Sequence, residues 1–217
     1  SPSMYNQIHC PNPNTIKVKD LIFPLQKGKE VGSSAYVEES KKKFIRTSSL
    51  QNHSFLLVSD SKSPISINPQ SFQQHGLESG DILYSKDANP GECCILKSNN
   101  YKDHMMSAGI LKIKPKKQGF YIFAFLKHFF VKSQLDNITG RGSTIKHSKE
   151  NVLLCKIPFP SGPDKQKIIN NVENITKRII EIEELIQNKD TKIIEIINEE
   201  LEKNPKKNQF VYEELEV

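Results

Sequence analysis

The chain has 217 residues, 36% of them hydrophobic and 26% charged. That is enough for one ordinary domain with an appendage, and no apolar run approaches the length of a membrane span. The net charge of +6 is segregated: residues 1–160 hold 22 Lys/Arg against 12 Asp/Glu, a balance of +10, and residues 161–217 hold 9 against 13, a balance of −4, so the main body is set to attract polyanions, nucleic acid first.

Residues 1–14 are polar, rich in Asn and Pro, and expected to be flexible. Thr15 to Phe23 (TIKVKDLIF) suits a short helix or strand, and 26–43 reads as loop, with Gly28, Gly32 and the run Lys41-Lys42-Lys43. Strand signals follow at Phe44-Ile45-Arg46 and at Ser54–Val58 (SFLLV). The turn signal Glu78-Ser79-Gly80 introduces a strand over Asp81–Ser85, and Asn89-Pro90-Gly91 folds Glu92–Lys97 back on it as a hairpin. Ala108–Lys114 alternates apolar and basic residues, placing Lys112 and Lys114 on one face. Gly119–Leu135 (GFYIFAFLKHFFVKSQL) is aromatic with helical spacing and reads as a buried helix. Asn151–Ile157 reads as a last strand, closed by Pro158-Phe159-Pro160. Strands around one buried helix make an α+β domain, mixed and β-rich, over residues 15–162. Cys10, Cys93, Cys94 and Cys155 have no metal-ligand spacing and are expected to be free thiols in a reducing cytoplasm.

The segment 163–204 predicts one long helix, with Asp164 as N-cap and Pro205 as stop; 205–217 forms a tail. Ile168, Val172, Ile175, Ile179, Ile182 and Ile186 recur at alternating steps of four and three. Lys189 interrupts the series, and Ile193 and Ile196 resume it. This is close to the 3.5-residue repeat with which one helix lies along another. Ile169, Ile180, Leu185, Ile194, Ile197 and Leu201 widen the stripe, which suits more than one neighbour. Roughly 40 residues at about 1.5 Å each would make a rod of about 60 Å, a spacer and docking surface. The competing arrangement is a helix folded back on its own domain.

No catalytic set stands out. The sequence has no GxxxxGK[ST] loop, no G-x-S-x-G elbow and no H-E-x-x-H, and its six histidines are scattered. It also lacks the Asn/Asp-Pro-Pro-aromatic tetrapeptide that amino-methylating enzymes need. What does stand out suits nucleic acid. Lys41, Lys42, Lys43 and Arg46 lead into Thr47-Ser48-Ser49; Lys86 and Asn89 sit at the hairpin tip; Lys97, Asn99, Asn100 and Lys102 share a polar loop. Arg141, Ser143 and Thr144 share a glycine-rich loop with Lys146 and His147. Lysines attract phosphates, whereas Arg, Asn, Ser and Thr can read base edges.

The order of these motifs resembles the specificity subunit of type I restriction-modification systems. The series is Phe44-Ile45-Arg46, then Ser79-Gly80-Asp81-Ile82-Leu83-Tyr84-Ser85-Lys86, then Ala108-Gly109-Ile110-Leu111-Lys112-Ile113. It continues through the aromatic helix and Gly140-Arg141-Gly142-Ser143-Thr144 to Ile157-Pro158-Phe159-Pro160, Gln166 and the long helix. The resemblance covers roughly residues 15–204, one target-recognition domain and one spacer helix. Family members usually carry two such units in tandem, each reading half of a split DNA target. Their helices pair as an antiparallel coiled coil and bind the methyltransferase subunits. This sequence has one unit, and Lys165 precedes Gln166 where an acidic residue is common.

The resemblance therefore implies a half-length specificity subunit that is not itself an enzyme, acting in a bacterial or archaeal cytoplasm. It would bind double-stranded DNA, form a homodimer through the isoleucine seam, and work with methyltransferase and restriction subunits. S-adenosylmethionine, ATP and Mg would belong to those partners, with no cofactor or metal on this chain. The alternatives are the recognition region of a single-chain type II restriction-methylation enzyme, a coiled-coil scaffold binding protein alone, and a truncated paralogue that blocks its relative.

Overall fold

Residues 14–59, 63–139 and 148–203 are described by a computed structural model. The chain divides into two compact units, one ending at Ile179 and the other starting at Ile180.

In the first unit the segment 15–23 is both of its expected alternatives in succession: strand β1 (Thr15–Lys17) and a single helical turn, α1 (Val18–Leu21). The next strands are β2 (Gln26–Lys27), β3 (Lys43–Ile45) and β4 (Ile65–Ser66). Then come β5 (Ile82–Ser85), β6 (Cys93–Ile95), β7 (His104–Met106) and β8 (Ile110–Ile113). Helices α2 (Gly119–Lys127) and α3 (Phe129–Thr139) and strand β9 (Lys156–Pro158) follow. An antiparallel sheet runs β2-β8-β5-β6, a second runs β4-β3-β7 with β3 and β7 parallel, and β1 pairs with β9. The β5–β6 hairpin forms around Asn89-Pro90-Gly91 as expected, with Leu83 opposite Cys94.

β5 is buried at every position, as a central strand covered on both faces must be. Alternation along β3 divides the core: Ile45 joins Leu50, Leu83, Leu96, Met106 and Ile110, and Phe44, pointing the other way, packs with Ile67 and Met105.

Four expectations change. Ser54–Val58 is irregular rather than a strand: the Ser54 hydroxyl donates to the Leu56 carbonyl, and the Phe55 carbonyl meets the sheet, accepting from Ile95 N–H. Gly119–Leu135 is two helices, because His128 adopts an extended conformation and its Nδ1 accepts from Phe130 N–H, capping the second. Asn151–Leu154 is a 3₁₀ turn, and only Lys156–Pro158 pairs as a strand. The segment 163–204 holds two successive helices, α4 (Lys165–Gln187) and α5 (Lys189–Lys203), rather than one.

Three histidines, of which His75 is buried, His104 half-buried and His128 exposed, give the first unit a pH dependence. His75 Nδ1 accepts from Met106 N–H at 2.9 Å, so its proton sits on Nε2. Burial, then Lys112, lowers its pKa. Burial and then Lys43 lower that of His104 against the opposing pull of Asp103, and burial lowers that of His128. The unfolded chain takes up protons near the ordinary histidine value of about 6.5, whereas the folded chain resists them to lower pH. Stability is therefore full above about 6.5 and falls as pH drops below it. The urea midpoint should be lower at pH 5.5 than at pH 7.5; equal midpoints would contradict this assignment.

Candidate nucleic-acid interface

The described residues singled out from the sequence fall into two neighbourhoods, one at each end of β3. At its start the register sets Lys43 beside His104, and Lys43 Nζ donates to Ser66 Oγ at 2.8 Å. Lys42 Nζ donates to Asp103 Oδ1 at 2.7 Å and lies 4.2 Å above the Phe72 ring. That hydrogen bond is the main reason the Asp103 carboxyl titrates below the usual range. Both lysines are engaged in holding the sheet, whereas Lys41 and Lys102 are exposed. In the loop before β7, the Asn99 side-chain oxygen accepts from Ser79 N–H and the Lys97 carbonyl accepts from the Ser79 hydroxyl. Asn99 thus shapes the loop, and Lys97 and Asn100 stand exposed on it.

At the other end of β3, Arg46 is exposed and its N–H donates to Ser63 Oγ. The chain then turns tightly through Thr47–Ser49. This turn meets the β7–β8 connection and the hairpin tip: a Cβ on Gly109 would lie 2.8 Å from Thr47 Cγ2 and 3.6 Å from Asp87 Cβ. Lys86 donates its N–H to the Gly109 carbonyl and pairs its ammonium with Asp87 at 2.6 Å. Thr47, Ser48, Lys86 and Asn89, separate in sequence, are gathered here.

Beside the turn opens a cleft of about 700 Å³, with Ser48, Asn52, His53, Asn89 and Lys132 in its lining. Behind it, Lys132 Nζ donates to Glu92 Oε1 and to Asn52 Oδ1, each at 2.7 Å. Buried Lys127 donates to the Gln51 and Cys93 carbonyls and lies 3.8 Å from Glu92 Oε2. A buried ammonium is tolerated only when paired and hydrogen-bonded, and this one fastens the 47–53 segment to helix α2. The sequence reading missed Gln51, Asn52, His53 and Lys132. The signal for Lys132 was a charge interrupting an apolar helical stretch; nothing local linked it to Asn52. Arg141, Ser143, Thr144, Lys146 and His147 lie outside the described residues.

The helical isoleucines divide by face. On α4, Ile168, Ile175, Ile179, Ile182 and Ile186 are each 41–62% exposed and Val172 is half-buried. Ile169, Thr176 and Ile180, read as additions to the stripe or not singled out, are buried. Exposed Lys177 lies 5.0 Å from the Phe120 ring of α2. On α5, Ile193 and Ile196 are exposed, as are Ile194 and Ile197.

Cys93, Cys94 and Cys155 are buried, and none of the three is in a disulfide. Burial pushes Cys93 up to about 12 and Cys155 up to about 11, so neither offers a thiolate near neutral pH. Among the described residues, no group of three or more His, Cys, Asp or Glu is placed to hold a metal ion, and no helix is long and apolar enough to cross a membrane.

A family model described as the type I restriction modification DNA specificity domain matches residues 13–204. Among solved structures, the chain is similar to the S subunit of a type I restriction-modification system from M. genitalium. That match has 13% identity and a TM-score of 0.50, over 83% of this chain and 44% of that one. It is similar to the HsdS subunit from Thermoanaerobacter tengcongensis at 17% identity and a TM-score of 0.53, over 88% and 50%. A chain from a structure of type I R-M complex assembly and conformational transition matches at 14% identity and a TM-score of 0.53, over 88% and 45%. At such identities the likeness is one of fold, and this chain spans about half the length of these structures. No curated protein matches.

Proposed function

The chain belongs to the type I restriction modification DNA specificity domain family, and from that premise we propose that it is a non-catalytic DNA-recognition subunit, reading one half of a split target. The observation that carries this reading is the family match across residues 13–204. The gathering of Arg46, Thr47, Ser48, Lys86 and Asn89 at one end of β3 supports it. In this reading Lys41 and Lys102 supply phosphate attraction, and the turn, hairpin tip and polar cleft face the bases.

One such unit discriminates weakly, since each mismatched pair costs only about 1–3 kcal/mol and a small domain spans few pairs. Joining two readers makes the second contact intramolecular and raises avidity by about 10²–10⁴. We infer that the exposed isoleucine face of α4 performs this joining by pairing with the same face of a second copy, as an antiparallel coiled coil. Two identical readers related by a two-fold axis would take a target with inverted identical halves. The joined helices would also recruit methyltransferase and restriction subunits. S-adenosylmethionine, ATP and Mg would serve the chemistry of those partners.

A salt series tests the DNA reading. Arg46→Ala should weaken binding to the target duplex by about tenfold and relax discrimination, with smaller loss on random duplex. Lys41→Ala should weaken both alike and reduce the slope of log K against log salt by about one. Equal losses on both duplexes for both variants would undo this division of labour. Absence of salt-dependent binding would favour a protein-only scaffold.

A further inference from the structure

We propose that the cleft beside the Thr47–Ser49 turn is the base-reading subsite of this domain, and that Asn52, held by Lys132, is a specificity-determining residue within it. This rests on the DNA-recognition reading and adds to it a location and a chemistry.

The argument begins with what an ammonium can do. Lys132 Nζ has only N–H donors, so the Asn52 atom it meets at 2.7 Å is necessarily the amide oxygen. The same ammonium is anchored by Glu92 Oε1 at 2.7 Å, and the Glu92 side chain is only 15% exposed. Lys132 therefore cannot swing away without leaving Glu92 behind. Glu92 in turn stands beside buried Lys127, which grips the Gln51 carbonyl immediately before Asn52. Both the backbone and the side chain at this position are thus tied to the helices.

The consequence is a polarised amide. With its oxygen engaged by Lys132, Asn52 keeps its NH₂ group as a donor, on an exposed side chain that lines the cleft. A fixed donor selects acceptors on the major-groove edge, namely guanine O6 and N7, adenine N7 and thymine O4, and rejects the amino groups of cytosine and adenine. A free asparagine flips and reads either pattern; this one is fixed as a donor. Ser48 and Asn89 line the same cleft and bring further hydrogen-bonding groups. The lysines at the opposite end of β3 are spatially separate, so attraction and reading occupy different parts of the domain.

The test uses the full chain and duplexes built on the methylated sequence mapped in cells carrying it, each with one base pair changed, alongside a random duplex in a salt series. Asn52→Asp still accepts from Lys132 but loses the NH₂ donor. It should cost about tenfold or more on the target and relax preference at one base position, with random-duplex affinity changed less than about threefold. Asn52→Ser, which is shorter and cannot be gripped in the same way, should lose the same preference. Lys132→Met should blur that same position without altering which phosphates are contacted, and Lys132→Arg should retain the preference.

Unchanged preference in both Asn52 variants would overturn the proposal while leaving DNA recognition intact. So would an equal loss on target and random duplex in Lys132→Met with a salt slope reduced by about one, which would make Lys132 a phosphate contact. Absence of salt-dependent binding by the unmodified chain would instead overturn the recognition reading on which the proposal stands.

Discussion

Placing glutamate at both Ile175 and Ile182 should convert the chain from dimer to monomer. Both side chains are about half exposed, at 62% and 49%, so an isolated chain leaves much of their burial energy unused. A paired helix would bury them. Full burial of an isoleucine contributes about 1.5–3 kcal/mol, and a two-fold pair contains four such positions. Substitution removes that contribution and adds four carboxylates to a closed seam, where like charges repel and desolvation is costly. The loss exceeds what a micromolar dimer, held by about 8 kcal/mol, can absorb. Light scattering should report the mass of one 24.8 kDa chain in place of two. The buried residues of α4, Ile169 and Thr176, are untouched, so the melting of the first unit should be unchanged. A dimer persisting in the double variant, or a monomeric parent at the same concentration, would refute the seam.

Gly28→Ala should be the most damaging Gly→Ala substitution among the described glycines of the first unit. A Cβ at Gly28 would lie 2.0 Å from the Ser107 carbonyl oxygen and 2.6 Å from that of Met106. Both neighbours are backbone, so no rotamer change relieves the clash. Gly28 N–H also donates to the Ile110 carbonyl of β8 and Lys29 N–H to the Met106 carbonyl of β7, and the segment after β2 cannot retreat from these strands without losing these bonds. Overpacking usually costs about 1–3 kcal/mol. With only main chain to move, we expect about 3 kcal/mol or more, a fall in Tm of about 6–12 °C. Gly32→Ala is the control: its Cβ would meet only Ser34 Oγ, at 3.6 Å, and the melting temperature should stay within about 2 °C. Equal melting of Gly28→Ala and the parent would mean that Gly28 is not seated against the Met106 and Ser107 carbonyls as described.

Local signals carried much of the fold. The hairpin at 81–97 was readable because its turn residues and both strands lie within seventeen positions, and its register follows from them. β7 was not: His104-Met105-Met106 lacks the β-branched residues that mark strands, and it pairs in parallel with β3, some sixty residues earlier. Ser54–Val58 failed in the opposite sense. Its apolar residues serve packing, as buried Leu56 does, while its backbone is held by scattered bonds to the Ser54 hydroxyl, Ser49 and Ile95 rather than by a ladder. The break at His128 carries no glycine or proline; the side chain supplies the cap.

The interface was legible by residue type but not by partner. Charge counting cannot tell that Lys42 is bound to Asp103 and Lys86 to Asp87 while Lys41 stands exposed. Nor can it join Lys132 to Asn52 across eighty residues. The helical periodicity identified isoleucine-rich faces, but not which positions would be buried: most of the regular series is exposed, and Ile169 and Ile180 beside it are buried.

The central claim is that this chain chooses DNA sequence for a methylating assembly, and base-resolution mapping of methylation tests it most directly. Cells holding the partner methyltransferase should methylate a split sequence with two inverted identical halves when the chain is present, and lose that methylation when it is removed. An unchanged methylation pattern in the presence of an active methyltransferase would contradict the claim.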